Sequence, residues 1–125
     1  MIALDASALL AFMFRESGHQ RVEAVLERSC MSTINVAEVL GRFARDGHDV
    51  RQVRGRLEAT SIELVPFLLS DACVVAELLP QARRLGLSLG DRACLALAIA
   101  RGIPAMTADR SWSQVDWGVE VELIR

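Results

Sequence analysis

Four acidic residues lie where short apolar segments end or helices begin, and they are the residues best placed to do chemistry. Asp5 and Asp109 each end an apolar run that predicts a buried strand, IAL and IPAMTA. Glu38 and Asp91 lie near the start of segments with helical apolar periodicity. If the fold gathers these acids, their charges repel. Two unit charges about 4 Å apart cost about 4 kcal/mol at an effective dielectric of 20, so a cation or protonation must offset the repulsion.

Glu38 and Asp91 also have structural explanations. Glu38 forms an N-x-x-E capping-box pattern with Asn35, and its spacing to Arg42 suits an i, i+4 ion pair. Asp91 follows Ser88 by three residues, which is again a capping-box spacing, and an acid there suits the helix dipole. Taken singly, each acid is explained as well by structure as by catalysis.

The two acids that follow strands are ambiguous in the same way. Asp5 is a good N-cap, and Asp109 follows Thr107 in a turn, where Asp is common. The joint pattern favours a site, because all four acids map to the same edge of the predicted sheet. Asp116 is close enough to Asp109 in sequence to be a further member.

Oxygen ligands without His or Cys select a hard ion, so the pattern predicts a Mg²⁺ or Mn²⁺ site. The only histidines, His19 and His48, lie in polar segments that are typical of loops. Magnesium binds a few carboxylates together with substrate phosphate oxygens, a chemistry that suits phosphodiester hydrolysis.

Hydroxyl and basic residues next to the acids could support this chemistry. Ser7 and Thr107 could orient a carboxylate, a water or a phosphate, and helix capping and turn bonding are their structural alternatives. Arg92 and Arg110 directly follow two of the acids and could hold a nucleic-acid backbone, although a solvated helix face is the default for each.

The composition narrows the function further. The chain has 125 residues, a formal net charge of -2 and no Tyr. All its basic residues apart from histidine are Arg, which excludes mechanisms that need a lysine, including P-loop phosphate binding and Schiff-base chemistry. No apolar run approaches the roughly 20 residues of a membrane span, and the start lacks a basic signal-peptide region, so we expect a cytoplasmic protein. The three cysteines, Cys30, Cys73 and Cys94, are expected to be buried reduced thiols.

Strands alternate with helices or helix pairs along the chain. Predicted strands cover 2–4, 30–32, 62–67, 103–109 and 119–124. Predicted helices cover 6–16, 19–28, 33–45, about 50–57, 71–84 with a division near Pro80, and 89–101, and a short helix or turn covers 110–115. This order predicts one domain, a three-layer α/β/α sandwich with a small, mostly parallel central sheet. If the first strand is central, Asp5 and Asp109 face each other across the crevice at the strands' carboxyl ends.

The segments IALDASALLAFMFRE, STINVAEVLGRF, LSLGDRACLALA and PAMTADRSW together resemble the PIN-domain ribonucleases of the VapC toxin type, and the resemblance covers essentially the whole chain, residues 1–125. It implies an α/β/α fold, an acid cluster that binds Mg²⁺ or Mn²⁺, and cleavage of single-stranded or looped RNA. It also implies a homodimer and a cognate antitoxin that covers the acidic groove. The family's acids fall on Asp5, Glu38, Asp91 and Asp109, and its small hydroxyl residues on Ser7 and Thr107.

Our first hypothesis is therefore a metal-dependent endoribonuclease toxin. Asp5, Asp91 and Asp109 would hold the ion, and Glu38 would bind it directly or through water. A second hypothesis is a non-enzymatic partner-binding or regulatory module whose acids bind an Arg-bearing segment. A third hypothesis is a 5′-nuclease-like DNA enzyme, which would use the same kind of metal-binding acid cluster. The chain is short for the additional duplex-binding elements of such an enzyme.

Overall fold

A five-stranded, fully parallel sheet forms the centre of the computed structural model, which describes residues 1–125. Its strands are β1 (Ile2–Leu4), β2 (Ser29–Ser32), β3 (Glu63–Val65), β4 (Ala105–Thr107) and β5 (Val121–Leu123). The strand order is β3-β2-β1-β4-β5, so β1 is central, with β2 on one side and β4 on the other. In register, Ala3 is paired with Cys30 of β2 and with Ala105 of β4.

Seven α-helices and two 3₁₀ helices connect the strands. The α-helices are α1 (Ala6–Met13), α2 (His19–Glu23), α3 (Thr33–Arg45), α4 (Val50–Glu58), α5 (Leu69–Glu77), α6 (Leu79–Arg84) and α7 (Leu89–Arg101). The 3₁₀ helices cover Leu26–Arg28 and Arg110–Gln114. None of these helices has the length and apolar character that crossing a lipid bilayer would require.

The alternation of side chains along β1 creates two apolar cores. Ile2 and Leu4 pack into one cluster with residues of α1, α3 and α4, whereas Ala3 packs into the other with residues of α6 and α7. The central strand is buried on both faces, as expected for a parallel sheet covered by helices. The predicted α/β/α sandwich is therefore confirmed, and the sheet is parallel throughout.

The strands are shorter than the sequence predicts. The segments 62–67 and 103–109 pair only over Glu63–Val65 and Ala105–Thr107. β4 lies beside the central strand, which has three residues, and β3 pairs only with β2, which has four. The prediction that Pro66 marks the end of a strand or an edge position is confirmed, because β3 ends one residue earlier and lies at the edge of the sheet.

Some helix boundaries also differ. The helix predicted for 6–16 ends at Met13, because the chain leaves it at Arg15, which adopts the left-handed conformation with φ 54°. The segment 19–28 is divided into α2 and the first 3₁₀ helix. The predicted division near Pro80 is confirmed, because Pro80 lies in the first turn of α6. Cys30 and Cys94 are buried as expected, whereas Cys73 is exposed, so that part of the cysteine prediction is wrong.

Gly18, in the loop after α1, packs against Ile124 near the end of the chain. It has φ +92°, and a Cβ there would overlap the backbone carbonyl of Ile124. Gly47 has a similar φ of +86° but nothing within 4 Å of an added Cβ. Position 18 therefore requires glycine for both conformation and space.

We expect Gly47→Ala to lower the free energy of unfolding by about 1–2 kcal/mol, which is the cost of the left-handed conformation alone. Gly18→Ala should lower it by about 2–4 kcal/mol, because the overlap with backbone adds to that cost. Urea denaturation of both variants measures the difference. Equal losses would contradict the close packing of Gly18 against Ile124.

Candidate functional site

The site forms where the carboxyl ends of β1 and β4 meet the starts of α1, α3 and α7. Asp5 directly follows β1, and its backbone N–H donates to the Met106 carbonyl of β4 at 2.9 Å. Thr107 is the last residue of β4 and is fully buried. Parallel strands leave their carboxyl ends at one edge of the sheet, so residues about 100 positions apart in sequence meet there.

Two hydroxyl groups fix one oxygen of Asp5. Ser7 donates from Oγ to Asp5 Oδ2 at 2.6 Å, and Thr107 donates from Oγ1 to the same oxygen at 3.0 Å. Asp5 occupies the N-cap position of α1, but its side chain accepts no capping hydrogen bond. Capping therefore does not explain this aspartate, and the other carboxylate oxygen, Oδ1, has no hydrogen-bond donor from the protein.

Asp5 is an ionisable group in a buried site, with only 3% of its surface exposed. The pKa of its carboxyl is raised from 3.8 to about 6, chiefly by burial and also by the negative charges of Asp91 and Glu38. The hydrogen bonds from Ser7 and Thr107 act in the opposite direction and lower it. These three acids therefore lie close enough to interact electrostatically, which unites residues from β1, α3 and α7 in one site.

Glu38 lies on α3 and reaches toward α7. Asn35 donates from Nδ2 to Glu38 Oε1 at 2.9 Å, and the carboxylate lies so close to Gly90 that a Cβ on that residue would overlap it. Partial desolvation in this position raises the pKa of Glu38, and so does the charge of Asp91, whereas the hydrogen bond from Asn35 lowers it.

The structural explanations of Glu38 are wrong in this structure. The N-cap of α3 is Ser32, whose Oγ accepts from Ile34 N at 3.2 Å, so Asn35 and Glu38 do not form a capping box. Arg42 pairs with Asp46 at 3.2 Å rather than with Glu38.

Asp91 has a structural role as well as a place in the site. Its Oδ2 accepts from Ser88 N at 2.8 Å, and its own N–H donates to Ser88 Oγ at 3.2 Å, which confirms the predicted capping box. The carboxylate lies in the first turn of α7, where the helix dipole favours negative charge. The capping bond uses one carboxylate oxygen, and Oδ1 has no donor from the protein.

Asp109 is held by a local turn. Its Oδ1 accepts from Ser111 N at 2.9 Å and from Ser111 Oγ at 2.7 Å, which starts the second 3₁₀ helix. The Asp109 N–H donates to Thr107 Oγ1 at 3.1 Å, so this turn is joined to the hydroxyl that holds Asp5. Asp116 is exposed and accepts from Gly118 N at 2.9 Å in its own turn.

The four carboxylates share one property that bears on cation binding. In each, a single oxygen accepts hydrogen bonds from the protein and the other has no protein donor. Asp5, Glu38 and Asp91 also act on one another through their charges, whereas Asp109 is joined to Asp5 only through Thr107. Oxygen donors of this kind fit Mg²⁺ or Mn²⁺. No three His, Cys, Asp or Glu side chains are close enough to ligate one ion together. The donor chemistry therefore fits a hydrated divalent ion, since Mg²⁺ usually keeps several waters as ligands.

The two arginines that follow acids in sequence have different surroundings. Arg92 donates from its guanidinium to the Val75 carbonyl at 3.1 Å, so it joins α7 to α5. Arg110 is exposed and takes part in no hydrogen bond or ion pair, which leaves its charge available next to Asp109.

Asn35 and Gly90 belong to the site, although the sequence did not identify them as members. Asn35 is fully buried and donates from Nδ2 to the Gly90 carbonyl at 2.9 Å as well as to Glu38. Its Oδ1 is buried without a partner, which costs about 1–3 kcal/mol. Gly90 lies in the first turn of α7, and glycine has a lower helix propensity than Ala. A glycine in the first turn of an otherwise apolar helix was the available sequence signal.

Comparison with known proteins identifies the same family that the sequence motifs resemble. A family model described as the PIN domain matches residues 2–118. No curated protein sequence matches the chain significantly.

Solved structures share the fold. A toxin–antitoxin complex from Klebsiella pneumoniae matches with a TM-score of 0.77 at 17% identity, over 99% of this chain and 97% of that chain. FitAcB from Neisseria gonorrhoeae matches with a TM-score of 0.72 at 24% identity, over 99% and 98%. DNA-bound VapBC from Salmonella typhimurium matches with a TM-score of 0.71 at 16% identity, over 99% and 98%.

The raised pKa of Asp5 predicts a stability that falls with pH. Below pH 3.8 the carboxyl is neutral in both states, and between pH 3.8 and about 6 only the unfolded state ionises. The free energy of unfolding therefore decreases as pH rises through this window, by roughly 3 kcal/mol in total. Asp5→Asn should remove this decrease in metal-free protein, because Asn can accept the same two hydrogen bonds and does not titrate.

Denaturation in a chelator at pH 4, 5, 6 and 7 measures the effect as the stability of Asp5→Asn minus that of wild type. Asp49→Asn is the matched control, because Asp49 is an exposed N-cap of α4 and Asn caps a helix equally well. A difference between Asp5→Asn and wild type that stays constant from pH 4 to pH 7 would contradict the raised pKa.

Proposed function

This chain belongs to the PIN domain family, a family of nucleases, and we propose that it is a Mg²⁺- or Mn²⁺-dependent endoribonuclease that hydrolyses RNA phosphodiester bonds. We further propose that it acts as the toxin of a toxin–antitoxin pair. The observation that carries the enzymatic part is the state of Asp5. It is a buried carboxyl with one oxygen held by two hydroxyls and the other without a protein donor, and two further carboxylates act on it.

Asp5, Asp91 and Asp109 are the residues proposed to hold the ion, partly through its bound waters, with Glu38 binding directly or through water. An ion held there would neutralise the acids and lower the pKa of a water molecule near the scissile phosphate. The existing hydrogen bonds support these roles, because each fixes one oxygen of a carboxylate and leaves the other without a protein donor. Preformed orientation of this kind lowers the cost of ordering during the reaction.

Ser7 and Thr107 are proposed as positioning residues for Asp5. Their hydroxyls are 3.2 Å apart, and Ser7 Oγ also accepts from Ala108 N at 3.0 Å. The Ser7 hydroxyl thus connects α1 to the segment after β4 and keeps Asp5 and Asp109 in a fixed relation. Arg110 is proposed to contact the RNA backbone, since its charge is free of protein partners; Arg92 is a weaker candidate, because it bonds Val75.

The antitoxin is proposed because three similar folds are found in complexes that are themselves described as toxin–antitoxin or VapBC and FitAcB assemblies. A groove of 370 Å³ supports a partner segment. Its floor includes Leu9, Phe12 and Met13 of α1, and Arg15 and Arg56 line it too. We propose that an antitoxin segment with apolar and acidic side chains binds there.

A homodimer is proposed as the assembly of the free protein. Leu68 is 60% exposed and Leu69 is 83% exposed at the start of α5, and Leu89 is 51% exposed at the start of α7. Exposed leucines at the starts of these two helices support burial against a second copy.

We expect Asp5→Asn to lower the rate of Mg²⁺- or Mn²⁺-dependent cleavage of total RNA by more than about 100-fold while the fold is retained. Circular dichroism and a melting curve establish the fold, and an EDTA-treated sample establishes the metal dependence. Asp49→Asn should cleave at the wild-type rate. Wild-type activity in Asp5→Asn would refute the assignment. Absence of any divalent-dependent cleavage by wild type, together with tight binding of an Arg-bearing peptide, would favour the partner-binding module.

The antitoxin groove makes a separate prediction. Met13→Glu places a charge on the apolar floor and should weaken the complex with the protein encoded by an adjacent antitoxin gene by at least about tenfold, because an unpaired charge is costly to bury. Val50→Glu is the control, because Val50 is exposed on α4 and does not line the groove. Titration calorimetry measures both. Equal affinities for the two variants would place the antitoxin elsewhere.

A further inference from the structure

Glu38 is an exposed residue whose carboxylate is nevertheless held in one position, and the contacts that hold it come from two residues outside the acid cluster. Asn35 donates from Nδ2 to Glu38 Oε1 within α3 and to the Gly90 carbonyl of α7, both at 2.9 Å. Both partners are acceptors, so the orientation of the amide is determined and its NH₂ group must face the junction of the two helices.

Fold stability accounts for only part of Asn35, namely its bond to the Gly90 carbonyl, which joins α3 to α7. The amide oxygen points away from the two acceptors and is buried without a donor. A buried polar atom without a partner is unfavourable, so this residue is kept at a cost to the fold. Besides the bond between the helices, the benefit that the structure shows is the orientation of Glu38.

Fold stability does not account for Gly90. Its backbone is that of an ordinary helix position, and glycine weakens helix interiors. An added Cβ would overlap all three atoms of the Glu38 carboxyl group. Glycine at position 90 therefore matters because it has no side chain, and not because its backbone is flexible.

We propose that Asn35 and Gly90 are positioning residues that seat the Glu38 carboxylate against the start of α7, beside Asp91. This inference rests on the proposed function, since it assigns their benefit to the reaction. A long exposed side chain ordinarily samples many rotamers, and the two contacts select one of them before substrate arrives. The two residues thereby fix the relation between the acid of α3 and the acid of α7.

The decisive variant is Gly90→Ala, which displaces Glu38 without removing any acid. We expect its kcat on RNA to fall about 100-fold with an unchanged KM, because the carboxylate moves by roughly 1 Å or more. Its melting temperature should equal or exceed that of wild type, because alanine favours the helix and the displaced group is the end of a flexible side chain. Gly41→Ala is the matched control: Gly41 lies in α3 with nothing within 4 Å of an added Cβ, and this variant should keep wild-type kcat.

The Glu38→Asp background separates positioning from general damage. Aspartate is one methylene shorter and leaves room for the Cβ that Gly90→Ala adds. Gly90→Ala should therefore change kcat by less than about twofold in Glu38→Asp. Asn35→Ala should lower kcat in the wild-type background and have a much smaller effect in Glu38→Asp. Undiminished effects in that background, or wild-type kcat in Gly90→Ala, would overturn the proposal.

A measurement without RNA keeps the inference separate from the proposed function. In NMR spectra of the metal-free protein, the Asn35 side-chain amide protons should be protected from exchange and should shift in Glu38→Ala but not in Asp49→Asn. If wild type cleaves no RNA, the proposed function fails, while these signals still decide whether Asn35 holds Glu38. Rapid exchange of both protons in wild type would overturn the positioning role.

Discussion

The burial of the Asp5 carboxyl within reach of other negative charges is the constraint on which the rest of the site depends. Asp5 follows the central strand, so it lies in the interior where β1, β4 and α7 converge. Desolvation and the charges of Asp91 and Glu38 all oppose its ionisation. The fold tolerates this because two hydroxyls bond one carboxylate oxygen, and the remaining repulsion favours any cation that can enter.

In each carboxylate of the site, one oxygen accepts hydrogen bonds from the protein and the other oxygen has no protein donor. Asp91 caps α7 with one oxygen, and Asp109 starts a 3₁₀ helix with one oxygen. These bonds orient the side chains relative to the backbone of each helix start. The structural and catalytic explanations of these acids are therefore compatible, because a carboxylate has two oxygens and each explanation requires one.

Much of the fold was predictable from the sequence, since apolar runs, caps and glycines report local structure directly. The alternation of strands and helices predicted the layers, and the spacing of Ser88 and Asp91 predicted a real capping box. Strand lengths were not predictable, because each strand extends only as far as its short neighbours in the sheet pair with it, a tertiary property. The surroundings of Arg92 could not be predicted from the sequence either, since its contact with Val75 depends on how α5 and α7 pack.

The participation of Asn35 and Gly90 escaped prediction for a different reason. The sequence places Asn35 and Glu38 at a spacing that suits a capping box, and local rules cannot tell this from a side-chain bond within the helix. What distinguishes the two is the position of the helix start at Ser32 and the approach of α7, 55 residues later. Both residues are unfavourable choices for a helix or a core considered alone, and both contact the same carboxylate. Both therefore bear on the placement of that side chain, and Asn35 also joins α3 to α7 through the Gly90 carbonyl.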